Sequence, residues 1–293
     1  MAADLDLIAL LRWYSAMGVD MAVDDAPHDR LAECAAALSP PLGEAPAPAA
    51  APPKPEAAAS PPRQSPRERR EPPAALPADR LEQTARESAA SAQTLDELRE
   101  ALLKFEGCGL KATATQLVFG DGNPQAEIMF VGEAPGADED RQGVPFVGRA
   151  GQLLDKMLAA IGLDRSKVYI ANVVPWRPPG NRTPTPLETS VCLPFTRRQI
   201  ELVHPKILVC LGAASAQTLL GNKDGIMRMR GRWLDYLSGA ERIKALAMLH
   251  PAYLLRQPAQ KKLAWQDLRL LAKEIARLQP PSQHAAGPAK AVE

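Results

Sequence analysis

Residues 127–148 read EIMFVGEAPGADEDRQGVPFVG, a short apolar run that breaks into a Gly- and Pro-rich loop. The run EIMFV has the length and composition of a buried strand. Three more such runs follow: VYIANVV at 168–174, KILVCL at 206–211 and KALAML at 244–249. Helical patterns lie between them, GQLLDKMLAAIG, ETSVCLPFTRRQIELV and AASAQTLL, and a last helix covers about 260–278. Strand and helix alternating with short connections predict a three-layer α/β/α sandwich around a central, mainly parallel four-stranded sheet. In such sheets ligands bind beyond the carboxyl ends of the strands. The loops that leave the four strands are therefore where function is sought.

The rest of the chain divides by composition. Residues 1–38 carry two short helical patterns, one on Leu5, Ile8 and Leu11 and one in LAECAAAL at 31–38, and form an N-terminal helical segment. Residues 39–93 read as a Pro/Ala-rich disordered linker, because 13 of the chain's 29 prolines fall between Pro40 and Pro77. Such a stretch buries too little apolar surface to offset its ordering entropy. At Thr94 the sequence Thr94-Leu95-Asp96-Glu97 has the form of a capping box, and the catalytic domain is expected to run from there to 279. Residues 280–293 form a tail.

A net charge of +1 selects no partner by itself, so any nucleic-acid contact must come from local clusters of arginine. No apolar run reaches membrane-spanning length. Asp4 and Asp6 precede Arg12, the reverse of a signal peptide's charge order, so a cytoplasmic location is expected. None of the four cysteines forms a C-x-x-C pair, and in a reducing compartment they are expected to be free thiols.

The first loop, after EIMFV, matches neither a P-loop nor a dinucleotide fingerprint. Its glycines allow backbone N–H groups to approach a planar ligand. Glu133 is placed to orient a water or act as a base, and Phe146 to stack on an aromatic ring, with core packing as its plain alternative. Asp138 and Asp140 read as helix-start or turn acids. The second loop is NVVPWRPPGNRTPTP. Asn172 interrupts an apolar strand, and its amide offers both a donor and an acceptor, the kit for reading a base edge. Arg177 and Arg182 on this loop suit phosphates. In the third, CLGAASAQTLLG, Ser215 and a helix start face an anion in one reading. The fourth is LHPAYLLRQPAQKK. It pins His250 at a strand end, sets Leu254 and Leu255 at an exposed tip as wedges for a base stack, and offers Arg256, Lys261 and Lys262 to a phosphate backbone.

Taken together, GEAPG with its following DED, then PFVG, NVV-x-x-RPPGNRTPTP and HPAYLLR resemble the uracil-DNA glycosylase superfamily, most closely its family 4, over about residues 105–275. The resemblance implies a monomeric DNA repair enzyme, acting in base excision repair on uracil-containing DNA. It hydrolyses the N-glycosidic bond of a uracil turned out of the stack. Phe146 would stack on the uracil. Asn172 would bind its Watson–Crick edge, and the backbone of Gly132 and Glu133 would help hold it, with Glu139 as a further candidate. His250 would stabilise the charge growing on the uracil oxygen. Glu133 would position water or stabilise the cationic sugar, and Asn181 matches another functional asparagine of the family. Arg177, Arg182, Leu254, Leu255 and Arg256 would contact DNA. A protein partner through residues 1–93 is a further expectation.

One departure stands out. Family 4 members carry a four-iron, four-sulfur cluster on four cysteines. Cys108 and Cys192 match two of these, but Phe105 and Trp176 occupy the other two positions. Two thiolates do not hold such a cluster by the usual ligation, so no cofactor and no metal are expected. Two other classes fit less well. A catalytically silent DNA- or partner-binding module on the same fold would explain the missing cysteines. A metal-dependent nuclease using Glu133, Asp138, Glu139 and Asp140 lacks the second carboxylate cluster that a two-metal site needs.

Overall fold

Residues 77–239 and 241–278 are described by the computed structural model. The expectations for 1–38, for 39–76 and for the tail lie outside these residues. One six-stranded sheet organises the rest: β1 Asp121–Gly122, β2 Ile128–Gly132, β3 Tyr169–Asn172, β4 Ile207–Leu211, β5 Trp233–Ser238 and β6 Glu241–Met248, in the order β1-β3-β2-β4-β6-β5. The four central strands, β3, β2, β4 and β6, are parallel and coincide with the four apolar runs. Every residue of β2, β3 and β4 is buried. Burial on both faces is why these strands read as continuous apolar runs rather than as alternation.

Alternate side chains enter two separate cores. Met129, Val131, Tyr169, Ala171, Leu208 and Cys210 point to one side. Ile128, Phe130, Ile170, Ile207, Val209 and Leu211 point to the other. The first core is closed by helices α1 (Ala78–Ser91), α2 (Leu95–Lys104), α5 (Pro186–Val203) and α6 (Ala213–Leu220). The second is closed by α4 (Arg149–Ala159), α8 (Pro251–Arg256) and α9 (Lys261–Leu278). Two short helices, α3 (Ala137–Gln142) and α7 (Ile226–Met229), sit in loops. The three-layer α/β/α reading holds.

Three expectations are corrected. The sheet has six strands rather than four, because β1 and β5 add antiparallel edges to β3 and β6. β1 is two residues long and β5 is an amphipathic edge strand, so neither shows as an apolar run. The stretch 39–93 is not linker throughout, since 78–91 form α1. Leu81, Ala85 and Ala89 repeat at i, i+4 and i+8 and face α5; two of the three are alanines, a stripe too small to signal. The Arg198 guanidinium of α5 fixes the end of α1 by donating to the Ala92 carbonyl at 2.8 and 2.9 Å. Lastly, PAYLLR forms the helix α8 rather than an exposed tip, and it buries Leu254 completely.

Thr94 caps α2, but the reciprocal bond of the expected capping box falls one residue earlier, on Gln93. The Thr94 hydroxyl accepts from Glu97 N at 3.1 Å, while the Glu97 carboxylate takes Gln93 N at 2.6 Å. A complete capping box, Thr185 with Glu188, starts α5 directly after the Pro-rich loop and fixes where that loop ends. From β2 the chain crosses to β3 on one side and then returns to β4 on the other. The strand order reverses there, and the loops after β2 and β4 diverge. A crevice at that position follows from the topology.

Candidate active site

The crevice is a cleft of about 740 Å³, walled by the loops that leave β2, β3, β4 and β6. Gly132 and Asn172 end β2 and β3 side by side in register. A Cβ on Gly132 would lie 2.5 Å from Asn172 Oδ1 and 2.6 Å from Phe146 Cζ. Only glycine leaves room for the amide and the ring to meet over the strand end. Asn172 is 4% exposed. Its Oδ1 is the one buried side-chain polar atom among the described residues with no hydrogen-bond partner. A buried acceptor left without a donor is costly, and one that lines a cleft is open to accept from a ligand N–H.

Phe146 faces Asn172 across Gly132 and is nearly buried. Its φ is +55°, a conformation that a non-glycine residue holds only when its surroundings fix it. Gly151 of α4 is part of that fixing, because a Cβ there would stand 1.7 Å from the Phe146 carbonyl oxygen. The His250 ring lies 5.6 Å from the Phe146 ring, centre to centre, at 30°. His250 leaves β6 as the N-cap of α8, and its Nδ1 accepts from Ala252 N at 3.1 Å. An Nδ1 that accepts carries no proton, so the neutral ring holds its proton on Nε2. Burial, and then the positive charge of Arg256, push the imidazole down from 6.5 to about 4. At neutral pH His250 is an uncharged Nε2–H donor at the cleft wall.

The carboxylates of the first loop separate into different jobs. Glu133 lines the cleft, and burial pushes its carboxyl up. Glu139 borders the cleft but is spent on the backbone: it accepts from Gly136 N at 3.0 Å, Val147 N at 3.0 Å and Gly148 N at 2.9 Å. It ties the start of α3 to the turn after Phe146, so its oxygens shape the wall rather than read a ligand. Asp140 is buried and accepts from Thr115 N and Gln116 N at 2.8 and 3.3 Å. Asp138 pairs with Arg141. These last two are the turn acids read from the sequence.

At the rim, Asn181 Oδ1 accepts from Arg177 Nε at 2.7 Å, with Asn181 itself at φ +55°. Arg182 makes a two-pronged pair with Glu188 at 2.8 and 2.6 Å, and that guanidinium holds the Glu188 carboxyl down at about 2. Asn181, Arg182 and Arg256 all border the cleft. Of the two leucines expected at the tip, Leu255 is 37% exposed and Leu254 belongs to the core. Lys261 is buried as well, which removes it from any DNA-facing surface. Ser215 is not open to an anion, since its hydroxyl donates to the Val131 carbonyl at 2.6 Å. Sequence reasoning missed Arg165, which donates to the carbonyls of Pro145 and Phe146. Nothing in its local sequence, DRSK, marks it.

Away from the cleft, Cys108 and Cys192 meet in the core with their sulfurs 3.7 Å apart. The Cys192 thiol donates to Cys108, which lowers the Cys108 thiol and, with burial, raises that of Cys192. Phe105 and Trp176 are buried in the same core, and the Phe105 ring packs on Phe195 at 5.1 Å. Among the described residues no three His, Cys, Asp or Glu side chains stand together as metal ligands. Two cysteines do not supply the four thiolates that such a cluster needs.

The α/β/α sandwich thus brings an amide, an aromatic ring and a neutral imidazole together in one cleft at the ends of its central strands. The family model for the uracil DNA glycosylase superfamily matches residues 119–269, and the chain belongs to that superfamily. Within it, the chain is 41% identical over 192 residues to a type-4 uracil-DNA glycosylase of Archaeoglobus fulgidus, covering 64% of this chain and 96% of that one. It is 44% identical over 165 residues to the type-4 enzyme of Thermotoga maritima, covering 56% and 84%. A type-5 uracil-DNA glycosylase of Thermus thermophilus is 33% identical over 118 residues, covering 35% and 53%.

Proposed function

We propose that this protein is a uracil-DNA glycosylase that hydrolyses the N-glycosidic bond of uracil turned out of DNA, the first step of base excision repair. The unpartnered Asn172 Oδ1 beside the Phe146 ring carries the reading. Uracil presents an N–H at N3 and a carbonyl at O4 on the edge an asparagine amide matches, Oδ1 taking the first and Nδ2 giving to the second. Cytosine presents the opposite polarity there, which would leave both amide atoms unpaired. Phe146 supplies the stacking face.

Bond cleavage puts negative charge on the departing uracil and positive charge on the sugar. The His250 Nε2–H, neutral and aimed from the cleft wall, stabilises the oxygen where the negative charge collects. A neutral donor already in place needs no reorganisation as the bond breaks. Glu133 sits at the end of β2, where its carboxylate orients the attacking water or faces the cationic sugar. Its raised pKa favours taking a proton from that water. Asn181, held by Arg177, belongs to the same rim. Leu255 and Arg256 face the DNA, the leucine toward the vacated stack and the arginine toward phosphate. Arg177 and Arg182 already have protein partners and act on DNA by orienting the Pro-rich loop.

The chemistry calls for no metal, and activity in EDTA is expected. The two paired cysteines, with buried Phe105 and Trp176 at the other two ligand positions, support a protein without an iron–sulfur cluster. Purified protein is expected to lack a band near ~400 nm and to contain no stoichiometric iron. Such a band, with iron at the level of one cluster per chain, would overturn that part of the reading. The function is tested by release of free uracil from a single-uracil oligonucleotide, lost in Asn172→Ala and in His250→Ala.

A further inference from the structure

We infer that Arg165 is the positioning residue for the base-stacking ring. This assignment deepens the uracil-excision reading and rests on it. Arg165 does not border the cleft; it lies behind the turn that carries Phe146. Its Nη1 donates to the Pro145 carbonyl at 3.1 Å and its Nη2 to the Phe146 carbonyl. Two carboxylates from separate elements fix the guanidinium plane: Asp121 of β1 accepts from Nη1 at 2.7 Å and Asp155 of α4 from Nε at 2.8 Å. One side chain thus joins an edge strand and a helix to the two consecutive carbonyls that set the Phe146 turn.

The turn needs such a grip. Phe146 has φ +55°, where a side chain clashes with its own backbone, and a relaxed turn would swing the ring away from Gly132. Gly151 permits the conformation by leaving room for the Phe146 carbonyl. Arg165 holds that carbonyl with donors in a fixed fork. The depth of the ring beside Asn172 and His250 is set from there. A lysine carries the same charge but cannot reach both carbonyls and both carboxylates in one plane.

The test is a double-mutant cycle between Arg165→Gln and Phe146→Ala. The readouts are KM and kcat for a uracil-containing single-stranded oligonucleotide and inhibition by free uracil. Arg165→Gln is expected to raise KM and weaken uracil inhibition by about tenfold, the scale of losing a charged hydrogen bond, with kcat little changed. Arg165→Lys is not expected to restore either value. In the Phe146→Ala background Arg165→Gln is expected to add nothing, because the ring it positions is gone. Arg230→Gln breaks a more deeply buried pair, with Asp267, and serves as the stability control; it is expected to lower the melting temperature without raising KM. Equal fold-losses from Arg165→Gln with and without Phe146, or a KM rise in Arg230→Gln matching that in Arg165→Gln, would overturn the assignment. A wild-type protein that releases no uracil refutes the glycosylase reading instead. The crystal structure of Arg165→Gln then still decides the positioning role, which fails if Phe146 keeps its φ near +55° and its place over Gly132.

Discussion

Gly132→Ala adds one methyl group at the point where the amide and the ring meet. The new carbon would stand 2.5 Å from Asn172 Oδ1 and 2.6 Å from Phe146 Cζ, whereas ordinary contact begins at 3.4 Å. The deficit is 3.4 − 2.5 = 0.9 Å toward the amide and 3.4 − 2.6 = 0.8 Å toward the ring. Neither neighbour has slack. Asn172 ends a strand paired to β2 in register, and Phe146 is backed by Gly151 and Arg165. A misplacement near 1 Å of a substrate-orienting group costs on the order of 10²-fold in rate. Single-turnover excision of uracil from a fluorescent oligonucleotide is therefore expected to slow about 10²-fold in Gly132→Ala. Overpacking lowers stability by only about 1–3 kcal/mol, so the protein stays folded at the assay temperature. Gly109→Ala is the control, since a Cβ there meets nothing within 4 Å, and it is expected to leave the rate unchanged. A Gly132→Ala protein that excises uracil within threefold of wild type would refute the geometry of this pocket.

Three further outcomes follow from the same site. Asn172→Ala removes a buried acceptor that has no partner, so it should abolish excision while leaving the melting temperature unchanged or raised; a marked loss of stability would mean that Oδ1 is satisfied after all. His250 binds its proton less readily folded (about 4) than unfolded (6.5), so the unfolded state holds more protons between those values. Stability should therefore fall as pH drops from about 6.5 through 4, and His250→Asn should flatten that slope in urea titrations run at several pH values. Leu254→Ala should cost about 2–5 kcal/mol of stability as a core truncation, whereas Leu255→Ala should spare stability and weaken binding to DNA containing uracil.

The central sheet was legible because β2, β3, β4 and the second half of β6 are buried on both faces and announce themselves as apolar runs. The edges were not. Asp121–Gly122 is too short to carry a pattern, and Trp233–Ser238, WLDYLS, is broken by Asp235 and buries only Tyr236 while Leu237 is exposed. Helix α1 hid in a stretch dominated by proline and alanine, since alanine packs against α5 without a strong apolar signature. The strand-end loops pointed to Gly132, Glu133, Asn172, Phe146 and His250, and these residues converge on one cleft. What the sequence withheld was the division of labour inside the loops. Glu133 and Glu139 look alike in GEAPGADED and both border the cleft, yet Glu139 is consumed by three backbone amides. Leu254 and Leu255 are adjacent and chemically identical; a helix that starts at Pro251 turns one inward and the other out. Arg165 acts through backbone carbonyls, a contact that no spacing rule encodes.

The central claim is that the cleft reads uracil and releases it without a metal. The direct measurement is free uracil liberated from a single-uracil oligonucleotide in the presence of EDTA, with wild type, Asn172→Ala and His250→Ala side by side. Wild type should release one uracil per oligonucleotide and leave an abasic strand, and both variants should release little or none. Intact oligonucleotide after incubation with wild type, or equal release by all three proteins, would contradict the account.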